Sequence, residues 1–179
     1  AGQRPMGMQV IFARGRVVLI ADTSVTEIPT SEQLADIAIQ SAAAAKRFGI
    51  TPRVALLASS TFGAPRNERS ERIIEAVHIL ESRGVDFEFE GEMAVDVALD
   101  RDKLAIYPFA RITDTANVLI MPAIHSASIS TKLLQQMGGA SVMGPMLVGL
   151  EKPVQIAPLG ARMSEIYNAA VIAAYDINQ

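Results

Sequence analysis

A three-layer α/β sandwich with a mostly parallel sheet is the fold this sequence predicts, and three observations predict it. Short apolar runs of the kind that form strands buried on both faces occur at RVALLA (53–58) and ANVLIMP (116–122). Segments with apolar residues at helical spacing follow them. The alternation of the two is the pattern of repeated strand–helix units, which cover a parallel sheet with helices. The 179 residues, half of them hydrophobic and a fifth charged, are enough for one lobe with a real core.

The elements follow in order. MQVIFA (8–13) and VVLIAD (17–22) flank Arg14-Gly15-Arg16 and predict a hairpin with glycine at its turn. After the loop TSVTEIP, Thr30 and Gln33 spell a capping box. The helix they open carries Leu34, Ile37, Ala38, Ser41, Ala42 and Ala45 on one face, and Gly49 ends it. So small a stripe predicts close packing.

RVALLA leads through the polar loop SSTFGAPRNERS into a helix through Ile73, Ile74, Val77 and Leu80 that stops near Gly84. DFEFE (86–90) alternates apolar and acidic residues, as a strand exposed on one face does. ANVLIMP is followed by a helix through Ile129, Leu133 and Leu134. SVMGPMLVG mixes turn glycines with an apolar run, and VQIA (154–157) is expected as the last strand. In the final helix Ile166, Ala169, Ala170, Ala173 and Ile177 share a face. Without a repeat, low-complexity tract or linker, residues 1–179 form a single lobe, which 152–179 close as strand, loop and helix.

Composition narrows the function. The net charge is -3, and no run of lysine and arginine with interleaved aromatics appears, so nucleic acid is not an expected partner. There is no cysteine, which excludes disulfides, zinc ribbons and thiol nucleophiles and suits a cytoplasmic setting. No apolar stretch approaches the roughly 20 residues of a membrane helix, so no membrane is expected. AGQRPMGMQV has neither a start methionine nor a signal-peptide pattern, and the expectation is a piece of a longer chain.

Chemical motifs are sparse. His78 and His125 lack acidic or histidine partners at metal-ligand spacing; His78 reads as a surface residue, while His125 follows a strand end, where α/β proteins bind ligands. GGASVMG (138–144) lacks the order of a dinucleotide loop and the lysine of a P-loop, so turn geometry explains it better. Glu92 and Asp96 in GEMAVD stand one helical turn apart, a spacing open to a cation but more often a solvated helix start. Ser59 and Ser60 end the strand RVALLA with no histidine base in evidence. No catalytic residue and no metal ligand is assigned.

Six segments in sequence say more. IADTSVTEIPTSEQLADIAIQSA, RVALLASSTFG, FEFEGEMAVDVAL, ANVLIMPAIHSASISTKLLQ, GPMLVG and KPVQIAPLG together resemble the phosphate acetyl/butyryl transferase family over nearly the whole chain. The nearest variety is the phosphotransacetylase-like C-terminal domain fused to bacterial NADP-dependent malic enzymes. The resemblance implies the second lobe of the phosphotransacetylase and isocitrate-dehydrogenase-like fold, with a ligand cleft between lobes and assembly into homo-oligomers. It also implies acetyl-CoA as a ligand. NADP and a divalent metal would belong to the malic-enzyme part, and no cofactor to this one.

Active members of that family read serine-arginine-glycine at the turn and carry an aspartate at the following helix start. Acetyl transfer between coenzyme A and phosphate needs a base for the thiol and stabilisation of developing negative charge. Aligned on Lys152-Pro153-Val154 and Gly160, the serine falls on Pro158, the arginine on Leu159 and the aspartate on Glu165. Proline and leucine supply neither a hydroxyl nor a cation. Losing one oxyanion-type donor costs about 3 kcal/mol in barrier, so the loss of both leaves little chemistry.

A neighbouring motif has drifted as well: of the family pattern there, only Pro122 and Lys132 match, with Ser128 at a former amide position. The acetyl-CoA-binding residues the resemblance implies are Pro122, Ser128, Lys132, Gly144, Pro145, Pro158, Leu159 and Gly160. The reading is a non-catalytic regulatory domain that senses acetyl-CoA; the alternatives are an active transferase and a purely structural oligomerisation module.

Overall fold

A computed structural model describes residues 4–63 and 67–177. Residues 64–66 of the predicted polar loop, the first three residues and the last two lie outside this range, as does the side chain of Ile177 from the predicted final stripe.

The hairpin forms as expected from β1 (Met6–Ala13) and β2 (Arg16–Ala21), with Ala13 opposite Arg16. Arg14 and Gly15 have φ of 50° and 72°. Two successive positive φ values make the tight turn whose twist matches that of paired strands. Next come α1 (Ser31–Arg47), β3 (Arg53–Leu57), α2 (Glu68–Ser82), β4 (Glu88–Met93) and the short α3 (Val95–Leu99) and α4 (Arg101–Leu104). They are followed by β5 (Val118–Ile120), α5 (Ile124–Met137), β6 (Ser141–Val148) and α6 (Met163–Ile177).

The six strands form one sheet in the order β4-β3-β5-β2-β1-β6. β4, β3, β5 and β2 pair in parallel, and β1 runs antiparallel to both β2 and β6. Only β1 therefore opposes the common direction, and the sheet is mostly parallel.

Strand residues alternate between two cores. Val54, Leu56, Val118 and Ile120 pack with α1 and α2 on one side, and Ala55, Leu57, Leu119 and Met121 pack with α3, α4 and Ala127 of α5 on the other. Burial on both faces explains why these strands read as continuous apolar runs. α1 is capped as its sequence spells, with Thr30 and Gln33 bonding each other's backbone amides. Its small stripe is buried against the sheet.

Five local expectations need correction. The acidic face of DFEFE is exposed only at its start: Asp86 is exposed, but Glu90 is 3% exposed and accepts bonds from the Arg111 guanidinium at 2.6 and 3.1 Å. Burial of a carboxylate requires such a partner, and this one stands 21 positions along the chain. Glu92 and Asp96 are not on one helix: Glu92 ends β4, buried, and accepts from the Gly63 amide at 3.2 Å, while Asp96 in α3 pairs with Lys103 at 2.8 Å.

VQIA is not a strand and makes only one bridge, Gln155 to Met146. The stripe of α6 is partly rotated from the predicted face: Ala169 and Ala173 turn inward as expected, but Ile166 is 52% exposed and Ala170 is exposed, and Glu165 and Ile172 take their place. α5 likewise leaves Ile129, Leu133 and Leu134 in solvent and buries Ala127 and Thr131.

Candidate ligand-binding site

The sheet's common strand direction places the ends of β2, β3, β4 and β5 along one edge, the place where open α/β sheets bind ligands. At the β2 end this edge is fixed by Asp22. Its buried carboxylate accepts backbone N–H bonds from Gly7 (2.8 Å), Ser24 (2.9 Å), Val25 (3.1 Å) and Thr26 (2.7 Å). Four donors on one carboxylate hold the loop after β2, and with it Thr23, in a single position.

Beside Thr23 lies a cavity of about 310 Å³, within the lower range of small-molecule sites. Its walls are α5, β6, residues 155–158 and α6, with Gln9 of β1 at its base. α5 contributes Ser128, Thr131, Lys132 and Gln135, and α6 contributes Glu165, Asn168, Ala169 and Ile172. Both sets have the i, i+3, i+4, i+7 spacing of a single helix face.

In β6 a register shift opposite Met8 and Val10 bulges Gly144 and Pro145 into the cavity wall. Gly144 has φ 111°, and a Cβ there would meet the Met8 carbonyl at 2.8 Å, so only glycine fits.

The polar groups differ in how far they are committed. The Thr131 hydroxyl donates to the Ala127 carbonyl at 2.9 Å. Glu165 closes back on the helix start: its Oε2 accepts the Arg162 N–H at 2.6 Å and its Oε1 the guanidinium at 3.3 Å. The first of these bonds, then the second, holds its pKa below the ordinary carboxylate value. Lys132 makes no ion pair among the described residues.

Of the residues singled out in the sequence, Ser128, Lys132, Gly144, Pro145 and Pro158 line this cavity. Pro122, Leu159 and Gly160 do not; Leu159 is fully exposed and Gly160 has open space on its Cβ side. His78 and His125 are exposed and, with Ser59 and Ser60, stand outside the lining. Among the described residues no cluster of His, Cys, Asp or Glu has the makings of a metal site. Sequence reasoning missed Gln9, Thr23, Gln155 and Asn168. Gln9 and Gln155 carried a usable signal, a lone amide inside an otherwise apolar run.

At the turn itself, Ala161 N–H donates to the Pro158 carbonyl at 3.0 Å, and Pro158, which lines the cavity, has no side-chain hydroxyl or charge. Arg162, the nearest guanidinium in sequence, is turned to solvent and bonded to Glu165 rather than lining the cavity.

Comparison with known proteins decides the relationship. Residues 3–174 match the Phosphate acetyl/butaryl transferase family. The chain belongs to that family. An NADP-dependent malic enzyme of Rhizobium meliloti is 59% identical over 98% of this chain, which spans 23% of that protein. A phosphate acetyltransferase of Bacillus subtilis is 36% identical over 92% of the chain, here half (51%) of the relative. A solved phosphotransacetylase from Streptococcus pyogenes superposes with a TM-score of 0.91 at 30% identity, covering 98% of this chain and 55% of that one. The chain thus spans about a quarter of the malic enzymes it matches, and between about a quarter and a half of the phosphate acetyltransferases.

Within the transferase family this member keeps the α/β frame. Pro158 stands in the cavity wall and Leu159 in solvent.

Proposed function

We propose that this chain is a non-catalytic, acetyl-CoA-sensing and oligomerisation domain of an NADP-dependent malic enzyme. The observation that carries the reading is the turn at 158–160, which offers the cavity a proline ring and no hydroxyl or cation. The 59% identity to a malic enzyme over 98% of the chain supports the parentage. The reading is supported by Lys132, which has no carboxylate partner for its charge among the described residues, and by a remaining wall of amides, hydroxyls and apolar groups in which the one carboxylate, Glu165, is bonded to Arg162. The exposed row Ile129, Leu133 and Met137 on α5 supports self-association through this lobe.

Oxidative decarboxylation of malate to pyruvate, with NADP and a divalent metal, belongs in this reading to the rest of the parent. Acetyl-CoA lies downstream of pyruvate, so inhibition by it is feedback. For that, the ligand must bind two states of the assembly with different affinity. The test is malic activity of the full-length protein with and without acetyl-CoA: slowing is expected, and an unchanged velocity at saturating ligand overturns the proposal. A second reading, transferase activity recovered through Lys132 and Ser128, is favoured by their presence in the cavity. Steady formation of acetyl phosphate by the same protein would establish it.

A further inference from the structure

Gln155 carries a donor that its own surroundings leave unsatisfied. Its Nε2 atom is buried and finds no acceptor among the described residues. The residue is held by its bridge to Met146, itself 2% exposed, and lines the cavity beside that methionine, Ile156 and Ile172. A buried N–H left without an acceptor is destabilising, because it has given up water and gained no partner. The local fold therefore holds the amide ready for an acceptor brought by something else.

The chemistry of that acceptor follows from the wall around it. Gln155 shares the wall with Met146, Ile156 and Ile172 as well as polar groups, and the cavity's ammonium is on a different element, α5. A neutral amide donor matches a neutral carbonyl, whereas an anionic group is better met by Lys132. Resting on the acyl-CoA reading above, we propose that Gln155 donates from Nε2 to the thioester carbonyl of an acyl-CoA and so separates it from free coenzyme A.

Free coenzyme A ends in a thiol, and acylation adds one carbonyl acceptor and a small apolar group. A site built to bond a ligand group discriminates against the analogue that lacks it, because the buried donor is then stranded. That discrimination is what sensing acetyl-CoA in the presence of coenzyme A requires.

The experiment is calorimetric titration of the full-length protein with acetyl-CoA and, separately, coenzyme A. Gln155→Met keeps the length of the side chain and removes the donor; Gln155→Leu removes it with a smaller neutral side chain, should the methionine variant not fold. Wild type is expected to prefer acetyl-CoA, and either variant to lose about tenfold in acetyl-CoA affinity with coenzyme A unchanged. Equal losses for both ligands, or no loss for either, overturn the role of Gln155 while leaving the acyl-CoA reading in place. If wild type binds neither ligand, that reading fails and this inference fails with it.

Discussion

Two alanine-rich helices of this chain, α1 and α6, have similar compositions and opposite surroundings. α1 is closed at its start by a reciprocal capping box, and its inner face, from Leu34 to Ala45, is sealed against the sheet. α6 is closed at its start by Glu165 alone, and its inner face borders a cavity more than a core. Its outer face, with Met163, Ile166, Tyr167 and Val171, is apolar and exposed. A helix apolar on two sides is usually buried on both. The difference teaches that α1 is a finished structural wall, whereas α6 is a wall with a cavity on one side and an uncovered surface on the other.

The largest expected effect tests the finished half. Leu34 is 2% exposed in the core beneath α1. Leu34→Ala is expected to destabilise the chain by about 3 kcal/mol in urea unfolding, the usual cost of such a deletion where the site cannot collapse. A loss below about 1 kcal/mol would mean that α1 is no better packed than α6, and the contrast would disappear.

The same contrast explains what could be read from sequence. α1 was legible because its cap, stripe and stop are local: Thr30 and Gln33, the residues from Leu34 to Ala45, and Gly49. The hairpin was legible at Arg14-Gly15 for the same reason. α6 was not, because apolar residues nearly encircle it and its phase is set by the turn before it. The burial of Glu90 depends on Arg111, a partner far along the chain, which no local pattern reveals.

VQIA has the composition of a strand, yet its neighbours leave it a single bridge. At the site, the family pattern located Pro158 and Lys132, but the inward reach of Gln155 and Asn168 follows from that bridge and that helix phase.

A smaller effect concerns how α6 begins. The Arg162 N–H, and then its guanidinium, stabilise the ionised form of Glu165 and lower its pKa from the ordinary 4.5. A group with a depressed folded pKa contributes stability that is fully present above its unfolded value and lost as pH falls through its folded value. The cap should therefore persist above 4.5 and fail on further acidification. An NMR titration is expected to place the Glu165 midpoint below 4.5, with the Arg162 amide shift following it. A midpoint at or above that value would show that the carboxylate is not held by the Arg162 amide, and the start of α6 would have to be redrawn.

The smallest effect tests the outer face of α6 directly. Ile166 is 52% exposed, and serine and isoleucine have similar helix propensities. At concentrations where the chain is monomeric, Ile166→Ser is expected to change unfolding stability by no more than about 0.5 kcal/mol, as surface substitutions usually do. A larger loss at the same dilution would mean that Ile166 packs within its own chain and that the inward phase assigned to Glu165, Ala169 and Ile172 is wrong. A loss that instead grows with protein concentration has a different origin, because a partner that binds only the folded form makes stability depend on concentration. That dependence would identify a second copy of this chain as the cover for α6, and its absence would show that a second copy does not cover this face.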